Sequence, residues 1–248
     1  MQLSKTSYAV TGLGAAPPWV VNAGIVVGEA KTLIIDTGAN WLAAQTIYGY
    51  ATAIRPENEL IVFNCEPHFD HIGGNAYFHA LGIDIYGHPA IQRTAQQFAG
   101  EIAEYNETVL NPVRKKAREA GAFYANTTIV NPNKPLMAGD ILDLGGVEVE
   151  ILASPGHTSI NQSVYNKRDD VLFCADCIVT GYIPNLEAGD REDWHEWLAS
   201  LAMIKALAPK VVMPGHGNVM RGEAVFVEIE RMRRVVQQAI EMGGAPTG

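Results

Sequence analysis

Asn64-Cys65-Glu66-Pro67-His68-Phe69-Asp70-His71-Ile72-Gly73-Gly74 follows directly on the apolar run Leu60-Ile61-Val62-Phe63. The run is strand-like, so the polar stretch stands where a strand meets a loop. Glu66 and His68 are two apart, and an extended backbone points both side chains the same way. Cys65, between strand and Glu66, then points oppositely, towards a core. Asp70 and His71 come next, at a turn into Gly73-Gly74 that lets the chain pass close beneath a site. Imidazole and carboxylate are the usual nitrogen and oxygen ligands of zinc, manganese and iron.

Three later segments repeat this arrangement of a strand ending in ligand-type residues: Ser154-Pro155-Gly156-His157, Phe173-Cys174-Ala175-Asp176 and Pro214-Gly215-His216. Loops at strand ends are where a rigid scaffold displays functional groups. Four of the seven histidines fall in this set. Further strands are expected at Val20–Val27, Thr32–Asp36, Ile83–Tyr86, Ile141–Leu144, Val147–Ala153, Ser163–Tyr165, Val171–Cys174 and Val211–Met213. Helical spacing marks Trp41–Ile54, Glu192–Leu207 and Gly222–Met242. A largely helical stretch runs from Pro89 to about Ala122. Two strand-rich halves that both carry helices predict two packed sheets with helices outside, an α/β fold. No linker separates the halves, so residues 1–248 read as one domain with a helical insertion at about 89–122 that could form a lid.

Composition narrows the function. The chain has 248 residues, with 18 Lys and Arg against 27 Asp and Glu, a net charge of −9. That balance argues against a nucleic-acid partner, which needs a basic face for phosphates. The longest apolar runs are strand-length, so no membrane partner is expected. The N-terminus lacks a basic start followed by an apolar core, and three cysteines give no disulfide framework; both point to the cytoplasm. The expected partner is a small-molecule substrate, with a homo-oligomer left open.

In the order and context of these motifs the sequence resembles the metallo-β-lactamase-fold hydrolase superfamily, whose signature is His-x-His-x-Asp-His, then Gly-His, a strand-end Asp and a late Gly-His. Ile34-Ile35-Asp36-Thr37-Gly38 is similar to that family's early Asp-Thr-Gly turn. The resemblance implies an αββα sandwich with two divalent ions, zinc first and manganese or iron as alternatives, at one edge of the sheets. His68 and His157 would serve the first ion, Asp70, His71 and His216 the second, and Asp176 would bridge them. Asp70 would double as the catalytic proton shuttle. Glu66 departs from the pattern, standing where a histidine is usual. A carboxylate still ligates zinc, but it cancels the net positive charge that the cluster would otherwise keep once a bridging hydroxide is counted. Hard oxygen at this position tilts metal choice towards manganese or iron.

Hydrolysis of a small ester, thioester, lactone or amide by the bridging hydroxide is the implied reaction. The alternatives are a mononuclear iron enzyme of the persulfide dioxygenase type and a β-lactam hydrolase. Tyr182 and Asn185, and after them Asn161, are candidates for orienting a substrate carbonyl. Lys115 and Lys116, within Arg114–Arg118, are candidates for an anionic substrate tail, against the plainer reading of a solvated helix face. Phe98, Tyr105, Phe123 and Tyr124 line a pocket or pack the insertion onto the body. His79, His88 and His195 read as surface or structural residues, and Cys174-Ala175-Asp176-Cys177 as a strand end, not a redox pair.

Overall fold

A computed structural model describes residues 1–14, 20–108 and 126–244. Strands β1 (Ser7–Leu13), β2 (Val21–Val27), β3 (Lys31–Ile35), β4 (Glu59–Asn64), β5 (Ile85–Gly87) and β6 (Lys134–Pro135) form one sheet in sequence order. The first three are antiparallel and the last four are parallel. The second sheet runs β12-β11-β10-β9-β8-β7, comprising β7 (Ile141–Asp143), β8 (Glu148–Ala153), β9 (Gln162–Asn166), β10 (Val171–Phe173), β11 (Val211–Met213) and β12 (Met220–Arg221). The helices are α1 (Trp41–Ile54), α2 (Phe69–Ile72), α3 (Asn75–Ala80), α4 (Ala95–Thr108), α5 (Arg191–Leu207) and α6 (Glu223–Met242).

Strand alternation builds the four layers. Leu33, Ile35, Ile61 and Phe63 of the first sheet meet Val149, Ile151, Val171, Phe173, Val211 and Met213 of the second in one buried core. Their neighbours Ile34 and Val62 face outward against Ala44, Ile47 and Ala51 of α1. Leu172 and Val212 face the opposite side, against Trp197, Leu201 and Ile204 of α5 and Ile229, Met232 and Val236 of α6. Both outer faces are thus covered by helices, as parallel pairing requires. The expected αββα sandwich is what forms.

Differences from the sequence reading are local. Gly28 closes the β2–β3 hairpin through its N–H to the Lys31 carbonyl, 2.9 Å. The stretch from Pro89 is not helical until Ala95. Thr94 and Gln97 cap that start reciprocally: the Gln97 N–H donates to Thr94 Oγ1 and the Thr94 N–H to Gln97 Oε1. Phe98 packs against Phe69 with ring centroids 6.3 Å apart, inside a small cluster with Ile72 and Ile91. Lys115, Lys116, Phe123 and Tyr124 lie outside the described residues, and so does the central part of the expected lid.

Candidate metal centre

The two sheets converge at the ends of β4, β8, β10 and β11, and each end delivers part of one cluster. Past Asn64 the strand alternation persists: Cys65 enters the inter-sheet core, and Glu66 points the other way, fully buried. Phe69–Ile72 forms a single helical turn that aims Asp70 and His71 inward. This turn packs tightly because Gly73 and Gly74 lie where a Cβ would collide with the Ala39 and Thr37 carbonyls. Gly215 is required more directly, since a side chain there would overlap the Asp176 carboxylate and the Ala175 backbone. The glycine of Pro214-Gly215-His216 therefore lets two strand-end ligands share one space.

Glu66 Oε2 is 2.8 Å from His68 Nδ1 and 3.8 Å from His157 Nε2, and the two imidazoles approach to 3.1 Å. His216 Nε2 lies 3.3 Å from Asp70 Oδ2 and 3.2 Å from Asp176 Oδ2. Asp176 joins the two groups, its Oδ1 3.3 Å from His71 Nε2 and its Oδ2 3.5 Å from His157 Nε2. Glu66 Oε1 also reaches His71 Nε2, at 3.3 Å. Three donor sets result, each within 4.8 Å: Glu66, His68 and His157; Asp70, His71 and His216; and Glu66, His71 and Asp176. Tetrahedral ligands held about 2 Å from one ion lie about 3.3 Å from each other, so these spacings match shared coordination.

The polar accounting points the same way. Both Glu66 oxygens, His71 Nε2 and Asp176 Oδ1 are buried and face only one another and the neighbouring cluster side chains, with no partner outside the cluster. Buried polar groups left unpaired are costly, and a cation at their common focus would satisfy them together. Two imidazoles are oriented for this from behind. His71 Nδ1 lies 2.9 Å from Asp36 Oδ2, and His216 Nδ1 lies 3.0 Å from the Val20 carbonyl. Both partners accept, so a proton is held on Nδ1 and Nε2 is the atom turned to the cluster, free to ligate once its own proton has left. Asn22 secures the second loop, donating to the Pro214 and Gly217 carbonyls at 3.0 Å each.

Electrostatics without a metal are those of paired opposite charges. Burial raises Glu66, Asp70 and Asp176, yet the surrounding imidazolium charges prevail: Glu66 is held below its ordinary range, Asp70 is at about 2 and Asp176 falls well below. Burial lowers His71 and His216, but Glu66 and Asp176 drive the first far up, and Asp176 and Asp70 the second. For His157 burial wins, and the imidazole stays neutral more readily. The carboxylates are thus committed to the ionised form that binds cations.

The cluster opens into a cavity of about 310 Å3 whose lining includes His68, Asp70, Asp176 and His216, with Glu101, Asn185 and Glu187 at its sides. Asn185 Oδ1 is used locally, accepting the Glu187 N–H at 3.0 Å. Tyr182 lines an adjoining cavity of about 280 Å3 that shares Asp176, Asn185 and His216 and is walled by Val179, Ile183 and Pro184. Asn161 is not available to a substrate: it is buried, and its amide donates to the Ser154 carbonyl and hydroxyl. His79 and His195 are exposed and His88 partly so, and none of the three belongs to a donor set. The three cysteines are buried, free thiols.

The linear reading does not find the roles of Asp36, Asn22 and Glu101. Glu101, in α4, pairs with Arg93 and accepts the Phe69 N–H at 3.2 Å. The one available signal is for Asp36, which stands in the Asp36-Thr37-Gly38 turn; its φ of 60° is a conformation that Asp tolerates better than most residues.

Comparison with known proteins agrees with this fold. The chain aligns with acyl-coenzyme A thioesterase MBLAC2 of Homo sapiens at 25% identity over 242 residues, covering 88% of this chain and 84% of that protein. It also aligns with an atrochrysone carboxyl ACP thioesterase of Aspergillus fumigatus at 26% identity, over 43% of this chain and 29% of that one. A metallo-beta-lactamase family protein of Thermus thermophilus superposes with a TM-score of 0.72 at 20% identity, covering 97% of this chain and 82% of its own. Residues 16–216 match the metallo-beta-lactamase superfamily model, and the chain belongs to that superfamily.

Proposed function

We propose that the protein is a metal-dependent hydrolase of a small acyl thioester or ester. The observation that carries this is the convergence of orphaned carboxylate and imidazole atoms at the floor of an open cavity. Thioesterase relatives support the acyl class, one of them over most of its length. Glu66, His68 and His157 would hold one divalent ion, Asp70, His71 and His216 a second, with Asp176 between them. Such ions supply Lewis acidity towards a carbonyl oxygen and make water a competent nucleophile at neutral pH.

The chain's own residues then divide the remaining work. Asp70 Oδ2 is occupied among imidazoles, which leaves Oδ1 to carry a proton from the attacking water to the departing sulfur or oxygen. Asn185, with Oδ1 committed, presents its amide N–H groups to the substrate carbonyl. The wall of Val179, Tyr182, Ile183 and Pro184 beside Asp176 and His216 receives the acyl group. A compartment with reduced thiols suits an enzyme whose three buried cysteines are unpaired.

Thiol release from a short acyl thioester tests the reading, with the zinc-loaded and manganese-loaded protein compared against a matched oxyester, a lactone and a β-lactam. Thioester or ester cleavage abolished by Asp176→Ala is the expected result. Oxygen uptake with a persulfide by protein holding one iron, and no hydrolysis, would overturn it.

A further inference from the structure

Glu66 does something the histidine usual at this position cannot. An imidazole aimed into the cluster offers one nitrogen, whereas a carboxylate offers two oxygens that can serve different centres. Here the oxygens are divided. Oε2 lies with the first donor set, 2.8 Å from His68 Nδ1 and 3.8 Å from His157 Nε2. Oε1 lies with the second, 3.3 Å from His71 Nε2. Both are buried, and outside the imidazoles of the cluster neither has a partner to account for its direction. Glu66 also belongs with His71 and Asp176 in a third donor set that straddles the other two.

From this division we infer that Glu66 is a second bridging carboxylate beside Asp176, serving both ions, and not a terminal ligand of the first. The inference rests on the two-ion reading of the site. A cluster bridged by two carboxylates is richer in hard oxygen at both centres, which favours manganese or ferrous iron over zinc relative to a histidine-first site. It also makes occupancy of one position depend on the other, because both ions draw on the same carboxylate.

Cadmium-113 NMR of protein loaded with two equivalents of cadmium separates the possibilities, since each resonance reports its own ion's donor atoms. Glu66→His trades oxygen for nitrogen at the first ion and withdraws Oε1 from the second. Both resonances are expected to move. A single moving resonance would make Glu66 terminal and overturn the inference. One cadmium per chain in the wild type would overturn the two-ion reading beneath it, an outcome distinguishable by stoichiometry. Glu66→Gln guards against a folding artefact: it keeps size and one oxygen, and is expected to weaken both cadmium-binding steps at least tenfold. A second step within twofold of wild type counts against bridging.

Discussion

Asp36 Oδ2 accepts a hydrogen bond from His71 Nδ1 at 2.9 Å, while its other oxygen, Oδ1, accepts the Cys65 N–H at 2.8 Å. One carboxylate thereby fixes both the tautomer of a metal-facing histidine and the backbone entering the Glu66 motif. Asp36→Asn keeps an oxygen for Cys65 but sets an amide N–H against His71 Nδ1. The favoured tautomer then carries its proton on Nε2, the atom that must be free for metal. Zinc affinity is expected to fall about 10- to 100-fold, read by competition with a chromophoric chelator. A change smaller than twofold would show that His71 is oriented by other contacts.

Ile183 is 62% exposed at the rim of the cavity that adjoins Asp176 and His216. A large apolar side chain is held in water there beside a polar cluster, which suits contact with an apolar substrate group. Over a series of acyl thioesters from two to eight carbons, kcat/KM is expected to rise about two- to fourfold per methylene until the cavity is filled. Ile183→Asp is expected to flatten that rise to about a third of its slope or less, with little change in Tm because the site is exposed. A slope equal to that of wild type would place the acyl group elsewhere.

The ligand set is legible from sequence because strand alternation carries across the strand end. Ile61, Phe63 and Cys65 alternate into one core, so Glu66 has to face away from it, and His68 with it. The helix Trp41–Ile54 is equally plain, with Ala44, Ile47 and Ala51 spaced on one face. The first strand is not. Thr11 and Gly12 interrupt its apolar alternation, and the pairing register with β2 shifts at that point. Asp36 lies 35 residues from His71 along the chain. Parallel pairing of β3 with β4 brings them together, and no local pattern encodes that pairing. Glu66 stands out in the sequence as unusual, but the split of its two oxygens depends on where His71 and Asp176 end up, which is tertiary information.

The opposed charges of the cluster make the benefit of metal depend on pH. In metal-free protein His71 and His216 have proton affinities well above the ordinary histidine value of 6.5, despite burial, because Glu66, Asp176 and Asp70 surround them. Raised groups stabilise the fold fully below the unfolded value, and that contribution is lost as pH rises through the folded one. Metal-free protein is therefore expected to lose stability above about pH 6.5. Ions compete with the same protons, so their affinity climbs over that range. The carboxylates act at the other end. Their lowered values, with Asp70 at about 2, preserve their contribution until the pH falls below about 4. The gain in Tm on adding zinc is thus expected to widen steadily from about pH 6 to about pH 8.5. At zinc about 1,000 times its dissociation constant the gain corresponds to about 4 kcal/mol per ion. Differential scanning calorimetry with and without chelator across that range measures it. A gain independent of pH would mean that the imidazoles are already neutral in the metal-free fold, contrary to the charge pairing seen here.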